Sequence, residues 1–339
     1  MALTVLSETE PTKEETALDR LVSITHNDME KVNALILSRA DSHVDLVPKL
    51  AHYLIEAGGK RLRPMLTVAA ARLFGHANGN EVFYAAAVEF MHNATLLHDD
   101  VVDESNMRRG QPAARMVWGN QASVLVGDFL LGQAFMMMVE TRDLDALGVL
   151  SKAATIIAEG EVFQLAKTGD LDTAAEEYDQ VIRAKTATLF EAATEVGAMA
   201  GGANENERAA MRTYGMELGR AFQLVDDVLD YGGGSGSLGK NTGDDLREGK
   251  MTLPIIIALD TGSEADKDVI KSALGNQEAD SKILKGVVAI LEKTGALKIT
   301  LAEAEKCALA AENALKELPQ SEMRDLLGDI SRFCLLRAY

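Results

Sequence analysis

The chain has 339 residues, of which 47% are hydrophobic and 25% are charged, as in an ordinary soluble globular protein. Its formal net charge of −18 at pH 7 arises from 34 Lys and Arg residues against 52 Asp and Glu residues. Because such a charge is repelled by phosphate backbones and by anionic membrane surfaces, we expect no nucleic acid as a partner, and an anionic substrate would need metal ions or a local basic patch.

The cysteines and the apolar stretches favour the cytoplasm. Cys307 and Cys334 lack the spacing of a disulfide framework or a zinc site and fit a reducing compartment. The N-terminal residues do not resemble a signal peptide, and the stretch nearest to a membrane span, residues 123–139, is interrupted by Asp128 and Gln133. We therefore expect a cytoplasmic protein without a transmembrane segment.

Helical periodicity dominates the chain after a polar N-terminal segment. Residues 1–17 are expected to be frayed, and residues 18–339 to form a single domain. Apolar residues recur at three- and four-residue spacing, and no stretch alternates convincingly as a strand would. The predicted fold class is therefore all-α. The clearest helical segments are residues 81–102, 121–140, 178–199 and 207–231.

One acidic motif, D-D-x-x-D, occurs twice, each time near the C-terminal end of a predicted helix. On a helix its first and last aspartates share a face, with Cβ atoms about 5–6 Å apart. Two like charges about 4 Å apart repel by roughly 4 kcal/mol at an effective dielectric constant of 20. No lysine or arginine lies within four residues on the same helix to relieve this. The motifs comprise Asp99, Asp100 and Asp103, and Asp226, Asp227 and Asp230.

A divalent cation would relieve the repulsion. Carboxylates without histidine or cysteine suit a hard ion such as Mg²⁺, which usually shares its shell with substrate phosphates. Either motif alone could be a solvated helix end, although aspartates there oppose the helix dipole. Two copies on apolar helices favour a metal site.

The helices that carry these motifs also have faces of small or apolar residues. The spacing on the first helix is typical of core packing, although it also permits a cavity wall. On the second helix, Gly215 and Gly219 leave space for either close helix packing or a ligand cavity. The face of the first helix carries Thr95, His92, Met91 and Val88, with Ala94 beside them.

Several basic residues in this acidic chain could hold phosphate. Residues 59–64 read G-K-R-L-R-P at a predicted helix start, and helix N-termini and arginine side chains both favour phosphate. Each residue alone could be a solvated surface charge, but together with the carboxylates they favour a diphosphate–Mg²⁺ clamp. The residues are Lys60 and Arg63, Arg108 and Arg109, Lys185 beside Thr186, and Lys240 and Lys250 around a glycine-rich loop.

The glycine-rich loop also matches nucleotide-binding motifs that its context excludes. Residues 234–239 read G-x-G-x-x-G and residues 234–240 nearly match a P-loop, but both motifs follow a strand, and here a helix precedes. His98 before Asp99 could suggest an HD-type phosphohydrolase, which needs further histidine ligands that lack convincing placement. A mobile lid over an active site is the better interpretation.

Five blocks, in order, resemble the trans-polyprenyl diphosphate synthase family, and in particular its long-chain octaprenyl and decaprenyl members. The resemblance extends from about residue 45 to at least residue 259. It implies an all-α isoprenoid synthase fold around a deep cavity, usually as a homodimer. The blocks are GGKRLRP (58–64), HNATLLHDDVVDESNMRRG (92–110), KTATLFEAA (185–193), FQLVDDVLDYGG (222–233) and GKNTGDDLREGKMTLP (239–254).

The resemblance also implies roles for individual residues. About three Mg²⁺ ions would hold an allylic diphosphate, with Asp99 and Asp103 as ligands of two ions, Asp226 of the third, and Asp100, Asp227 and Asp230 supporting. Further contacts to the allylic diphosphate would come from Arg108, Lys185, Lys240 and Lys250. The site for isopentenyl diphosphate would comprise Lys60, Arg63, His92 and Arg109. The catalytic residues would be Lys185, Thr186 and Gln223, of which Thr186 and Gln223 would lie close to the developing allylic cation.

The implied reaction condenses isopentenyl diphosphate with an allylic diphosphate such as farnesyl diphosphate. Mg²⁺ and cationic side chains stabilise the departing diphosphate, so the allylic C–O bond ionises. The isopentenyl double bond attacks the cation, and a proton is lost to the released diphosphate. A water-excluding cavity protects the cation.

Product length is expected to depend on the residue five positions before the first motif, where an aromatic side chain often limits the chain in this family. Here it is Ala94, with Thr95 beside it, and the two-residue insertion of short-chain bacterial members is absent. Moving the tunnel floor from Thr95 back to Val88 adds about 10 Å at 1.5 Å per residue. We expect about eight to ten isoprene units, as in quinone side chains, with Met91, Val88 or Phe135 as the floor.

The sequence leaves three alternatives. The enzyme could make a shorter farnesyl or geranylgeranyl product. The protein could be a non-catalytic subunit of a heteromeric synthase, although such subunits typically lose the acidic motifs or the basic clamp. It could also be a terpene cyclase or a head-to-head condensing enzyme, although those families usually carry a different second metal motif. After Thr261 the sequence shows helical periodicity and no chemistry.

Overall fold

Helices make up most of the chain, as the apolar spacing predicts. The structure, a computed structural model, describes residues 15–56, 58–75, 78–232, 243–277 and 279–336. Its α-helices are α1 (Ala17–Arg39), α2 (Leu46–Glu56), α3 (Leu62–Leu73), α4 (Asn80–Val102), α5 (Ala114–Trp118), α6 (Asn120–Glu140), α7 (Leu144–Lys167), α8 (Ala175–Ile182), α9 (Thr188–Ala200), α10 (Glu205–Tyr231), α11 (Asp244–Arg247), α12 (Leu253–Thr261), α13 (Glu264–Ala273), α14 (Ser281–Thr294), α15 (Ala296–Leu315) and α16 (Glu322–Leu336).

Two features depart from a purely α-helical chain. A hairpin of two-residue strands, β1 (Met107–Arg108) and β2 (Gln111–Pro112), follows α4. It is too short to show the alternation by which a strand is recognised in a sequence. The segment predicted as one helix over residues 178–199 is instead α8 and α9 joined by a π-helical turn, Arg183–Ala187.

Local capping fixes several helix starts. Thr16 caps α1 and exchanges hydrogen bonds with Asp19, and Asn204 does the same with Glu207 at the start of α10. The cap at Asn204 places the start of α10 two residues earlier than the apolar spacing indicates. Most of the N-terminal segment expected to be frayed, residues 1–14, lies outside the described residues.

Helix α10 stands at the centre of the packing. It contacts α9 along one side and α15 along another, while α4 packs between α3 and α6. A Cβ at Gly219 would lie 2.6 Å from the Cα of Ala187, and one at Gly215 would overlap Thr194 and the backbone of Phe190. Both glycines therefore serve close helix packing, which settles the alternative that the sequence leaves open.

The buried apolar residues form two clusters that meet on α10. One includes residues of α1, α3, α4, α6, α7, α9 and the first half of α10. The other includes the second half of α10 and α12 to α15. The region after Thr261 thus supplies part of the second cluster, and α15 supports the helix that carries the second acidic motif.

Helix α6 is also long and apolar enough to cross a membrane, judged by length and composition alone. No other helix among the described residues passes that test. About two fifths (39%) of its most apolar 18-residue stretch is buried against the rest of the protein. Its inner face belongs to the first core cluster, and large apolar side chains on its outer face are exposed.

Candidate active site

Both acidic motifs lie at C-terminal helix ends, as predicted. Asp99 and Asp100 are in the last turn of α4, Asp103 caps it, and the second motif ends one residue before α10 does. The cations missing from the motif's own helix come from elsewhere in the chain. Lys185 Nζ lies 3.6 Å from Asp99 Oδ2, and Lys250 Nζ lies 2.8 Å from Asp103 Oδ2. Tertiary structure thus supplies the charge compensation.

Asp100 pairs with an arginine. Its carboxylate is fully buried, and Oδ1 accepts hydrogen bonds from Arg108 Nε at 2.9 Å and Nη2 at 2.5 Å. Burial raises the pKa of Asp100, and the charge of Arg108 opposes that rise. Asp100 therefore anchors the β1–β2 hairpin and orients Arg108 towards the motif.

Asp227 likewise has an internal role. It is buried and accepts hydrogen bonds from the hydroxyl of Tyr178 and from Gln223 Nε2, the latter at 2.8 Å. Burial, followed by the charge of Asp245, raises the pKa of Asp227 to about 8. Gln223 in turn accepts a hydrogen bond from Thr186 Oγ1 at 2.8 Å. This chain of bonds fixes the amide of Gln223 and the hydroxyl of Thr186.

Asp230 connects the end of α10 to the segment that begins at residue 243. Its two carboxylate oxygens accept hydrogen bonds from the backbone N–H groups of Asp244 and Asp245, each at 3.3 Å. Lys240, which is predicted to contact the allylic diphosphate, lies outside the described residues, as do residues 233–242 of the predicted lid at residues 232–250.

The π-helical turn carries Lys185 and Thr186. It packs tightly against α7, since a Cβ at Gly160 would lie 2.5 Å from the Cβ of Ala184. Thr188 Oγ1 donates to the carbonyl of Arg183 at 2.9 Å. Single π-turns inside helices are frequent at functional sites, and this one points two consecutive side chains at two different motifs.

Acidic residues outside the motifs also contact the lysines, and they were not predicted from the sequence. Lys185 Nζ lies 2.8 Å from Glu161 Oε2, and Lys250 Nζ lies 2.7 Å from Glu248 Oε2. Burial, followed by the charge of Asp99, raises the pKa of Glu161. The available signal was a glutamate on the same face of α7 as the buried Ile157 and Gly160.

A second basic group lies where α3, α4 and the hairpin meet. The Arg63 guanidinium lies 4.3 Å from the ring centroid of Phe190, and its Nη1 is 3.4 Å from His92 Nε2. Burial, then the charge of Arg63, lowers the pKa of His92 well below its usual value, so the imidazole is neutral. The Arg109 guanidinium packs against Gly59, where a Cβ would lie 2.8 Å from Nη1.

The fourth predicted member of this group, Lys60, lies at its edge. Its ammonium is 5.7 Å from the ring centroid of Phe333 in α16. Two neighbours were not predicted as site residues, Arg61 and the buried Glu89, whose Nη1 and Oε1 atoms are 3.7 Å apart. The structure therefore brings Arg63, His92 and Arg109 together and adds two charged side chains.

A cleft connects the second motif to the lysines. It runs between α7, α8, the π-helical turn, α10 and the segment before α12. The residues at its wall that matter for chemistry are Lys185, Thr186, Gln223, Asp227, Asp245 and Lys250.

The residues predicted to control product length lie behind the first motif. Val88, Met91 and Ala94 are buried in the first core cluster, and Thr95 is partly exposed and donates to the carbonyl of His92 at 2.8 Å. Phe135 lies on α6, which packs along α4, and is partly buried. Both helices therefore border the region where a tunnel is predicted.

The donor set suits a hard cation. In the described ranges no three His, Cys, Asp or Glu side chains converge closely enough to hold a metal ion by themselves. The charged groups of Lys185 and Lys250 lie against the oxygens of Asp99 and Asp103. Magnesium commonly takes one or two carboxylates and completes its shell with water and substrate phosphate, so this donor set fits it.

Comparison with known proteins gives a consistent result. Residues 44–291 match the polyprenyl synthetase family. The chain is 44% identical over 320 residues to the octaprenyl diphosphate synthase of Escherichia coli K12, covering 94% of this chain and 99% of that protein.

Solved structures agree over nearly the whole length. A polyprenyl synthase from Caulobacter crescentus CB15, crystallised with calcium and isoprenyl diphosphate, superposes with a TM-score of 0.92 at 46% identity, covering 97% of this chain and all of that one. A decaprenyl diphosphate synthase from Rhodobacter capsulatus gives a TM-score of 0.89 at 46% identity, covering 95% and 99%.

Proposed function

Because the chain belongs to the polyprenyl synthetase family of trans-prenyltransferases, we propose that it extends an allylic diphosphate, such as farnesyl diphosphate, with isopentenyl diphosphate to a long all-trans polyprenyl diphosphate. The product would serve as a quinone side chain. Long-chain products are supported by the octaprenyl and decaprenyl synthases to which the chain is 44% and 46% identical.

One observation carries the proposal. The consecutive residues Lys185 and Thr186 connect the two acidic motifs: Lys185 pairs with Asp99, while Thr186 joins the second motif through Gln223. The motifs, far apart in the sequence, therefore border one site with cations at its wall. That arrangement is what ionisation of a diphosphate leaving group requires.

The carboxylates would hold the metal. Asp99 and Asp103 would bind two Mg²⁺ ions and Asp226 a third, with Asp100, Asp227 and Asp230 in support. Bound Mg²⁺ would neutralise the diphosphate and make it a better leaving group. The complex of the Caulobacter crescentus synthase with calcium and isoprenyl diphosphate supports a divalent cation beside a diphosphate.

The chain's own residues would bind and orient the substrates. Arg108, Lys185, Lys240 and Lys250 would contact the allylic diphosphate, and Lys60, Arg63, His92 and Arg109 the diphosphate of isopentenyl diphosphate. The hydroxyl of Thr186 and the amide of Gln223, held by hydrogen bonds, would face the developing cation with their dipoles already oriented. The neutral imidazole of His92 would complete the second site without adding charge.

The growing chain would run along α4. The small side chain of Ala94, beside Thr95, would leave the tunnel open below the first motif, with Met91, Val88 or Phe135 at its floor. Because Val88, Met91 and Ala94 are packed in the core, lengthening products would have to displace neighbouring side chains between α4 and α6.

The proposed assembly is a homodimer of two single-domain chains, residues 18–339, in the cytoplasm. Large apolar side chains on the outer faces of α6 and α7 are more than half exposed, including Leu125, Met136, Val139, Val162 and Leu165. A surface of this kind marks a protein or membrane contact. A second copy would cover it and explain why α6 has the composition of a membrane helix.

A product assay tests the proposed function. Purified protein, Mg²⁺, isopentenyl diphosphate and farnesyl diphosphate are incubated, and the products are measured by mass spectrometry. We expect chains of about forty to fifty carbon atoms. Only chains of twenty carbons or fewer would support the short-chain alternative, and no condensation with any allylic primer would support the non-catalytic subunit.

A further inference from the structure

Three arginines surround one buried carboxylate beside the proposed site for isopentenyl diphosphate. Arg61, Arg63 and Arg109 are called the arginine cluster below, and the carboxylate is that of Glu89 on α4. Glu89 is 6% exposed. An ionised carboxylate is rarely buried unless it is paired and hydrogen-bonded, so its presence here requires an explanation.

Glu89 forms an ion pair with one arginine of the cluster and acts electrostatically on the other two. Arg61 Nη1 lies 3.7 Å from Glu89 Oε1, and Asn93 Nδ2 donates to the same side chain at 3.4 Å and to the Glu89 carbonyl at 2.9 Å. Burial lowers the pKa of Arg63 to about 10 and lowers that of Arg109, and in both the charge of Glu89 is the strongest opposing influence. The charge of Glu89 thus offsets part of the repulsion between the guanidinium groups.

The cluster has unused capacity for an anion. Three guanidinium groups against one carboxylate leave an excess of positive charge. Among the described residues, the buried atoms Arg61 Nη1 and Arg63 Nε have no hydrogen-bond partner. Buried donors without partners are costly. Both arginines therefore present donors that an anion could satisfy.

The backbone around the cluster is fixed in unusual conformations. Arg61 and Arg109 have φ angles of 47° and 52°, in the left-handed region that non-glycine residues seldom adopt. Such conformations persist where surrounding contacts over-determine them and are common at ligand sites. The side chains therefore leave the backbone in directions set by the fold.

We propose that Glu89 is a positioning residue, whose buried carboxylate sets the spacing of the arginine cluster that receives the diphosphate of isopentenyl diphosphate. The inference rests on the proposed function. A positioning role and a simple charge effect predict opposite changes in anion affinity. Removing the negative charge would by itself strengthen anion binding, whereas losing the spacing of the arginines weakens it.

Steady-state kinetics of Glu89→Gln test this inference. We expect the KM for isopentenyl diphosphate to rise by about tenfold or more, as for the loss of a hydrogen bond to a charged group. The KM for farnesyl diphosphate should stay within about twofold, and Glu89→Asp, which keeps the charge, should recover part of the loss. The matched control is Glu81→Gln, another buried glutamate of α4, which accepts from Gly79 away from the site.

Two outcomes would overturn the inference. A lower KM for isopentenyl diphosphate in Glu89→Gln would show that the carboxylate only weakens anion binding. An equal rise in both KM values with a lowered Tm would show a general structural role.

A binding measurement separates this inference from the proposed function. Inorganic pyrophosphate is titrated calorimetrically into wild type and Glu89→Gln in EDTA, where the metal-dependent allylic site is silent. About tenfold weaker binding to the variant supports the role of Glu89 even if the wild type makes no polyprenyl product. Equal or tighter binding contradicts it even if the enzyme is active.

Discussion

At the scale of single residues, the three aspartates of the first motif have different environments. Asp99 and Asp103 face lysines of the cleft, whereas Asp100 is buried and holds Arg108. All three belong to one sequence motif, but only the fold decides which oxygens face Lys185 and Lys250. The first motif therefore contains two proposed metal ligands, Asp99 and Asp103, and one aspartate that positions Arg108.

Replacing Asp99 with alanine should abolish most of the activity and leave the fold intact. Its partner Lys185 keeps Glu161 at 2.8 Å, and burial raises the pKa of Asp99, so the ionised carboxylate adds little to stability. We therefore expect the free energy of unfolding to change by about 1 kcal/mol or less. The kcat should fall by about three orders of magnitude, because a charge-stabilising group is lost from the transition state. Urea unfolding and product formation with saturating Mg²⁺ measure both.

The matched control is Asp268→Ala, an exposed aspartate of α13, which should retain wild-type kcat. Near-normal turnover of Asp99→Ala would remove the first motif from the metal site.

Residue-level prediction succeeds where a motif repeats or a block is distinctive, and it fails for single charges. Glu161 and Glu89 each pair with a basic side chain of a predicted group, yet helical spacing alone does not distinguish them from ordinary buried residues. Helical spacing shows which side chains share a face. It does not show which chain segment that face meets, and the partner of Glu161 is 24 positions away.

At the scale of elements, the long helices were predictable and the π-helical turn was not. Apolar spacing marks a helix over residues 178–199, but it does not reveal the local change of hydrogen bonding at Arg183–Ala187. That turn is held by tertiary contacts, with Gly160 of α7 on one side and Gly219 of α10 on another. Its position therefore depends on neighbours that sequence periodicity does not identify.

Gly219→Ala should destabilise the protein and disturb the site together. The added Cβ would lie 2.6 Å from the Cα of Ala187, and backbone cannot yield as a flexible side chain does. We expect a loss of about 1–3 kcal/mol in the free energy of unfolding and a lower kcat, because Thr186 is adjacent. Urea unfolding and turnover test this.

Gly286→Ala on α14 is the control, since its nearest neighbour would be 3.6 Å away and alanine favours helix by about 1 kcal/mol. Equal stability of the two variants would refute the close-packing explanation.

Ala94→Phe should shorten the product. The ring would enter the proposed tunnel one helical turn before the first motif and stop chain growth, so the products should shift from about forty carbons or more towards fifteen to twenty by mass spectrometry. Ala94→Ser, nearly equal in volume, serves as the control and should keep the long product. An unchanged product length in Ala94→Phe would exclude α4 as the tunnel wall.

At the scale of the whole molecule, helical spacing predicts the fold class but not the assembly. The expected all-α protein is confirmed by the structure. Helix α4 packs against one face of α6 and leaves the apolar outer face of α6 exposed. Sequence alone does not tell which apolar residues remain uncovered.

Leu125→Lys should separate the proposed dimer into monomers. Leu125 is 67% exposed on α6, and burying a lysine at each equivalent position of a symmetric interface would be unfavourable. Analytical ultracentrifugation of wild type and variant measures the change. The control is Leu309→Lys, because Leu309 is 56% exposed on α15. This variant should remain dimeric. A monomeric wild type would contradict the proposed dimer. A dimeric Leu125→Lys would show that the interface lies on another surface.

The ion pair between Asp103 and Lys250 also has a consequence for the order of folding. Its partners are 147 positions apart, and they connect the end of α4, in the first core cluster, to the segment leading into the second. Contacts between such distant residues form slowly, because a long loop must close first. Regain of activity after dilution from denaturant should therefore lag behind regain of helical circular dichroism.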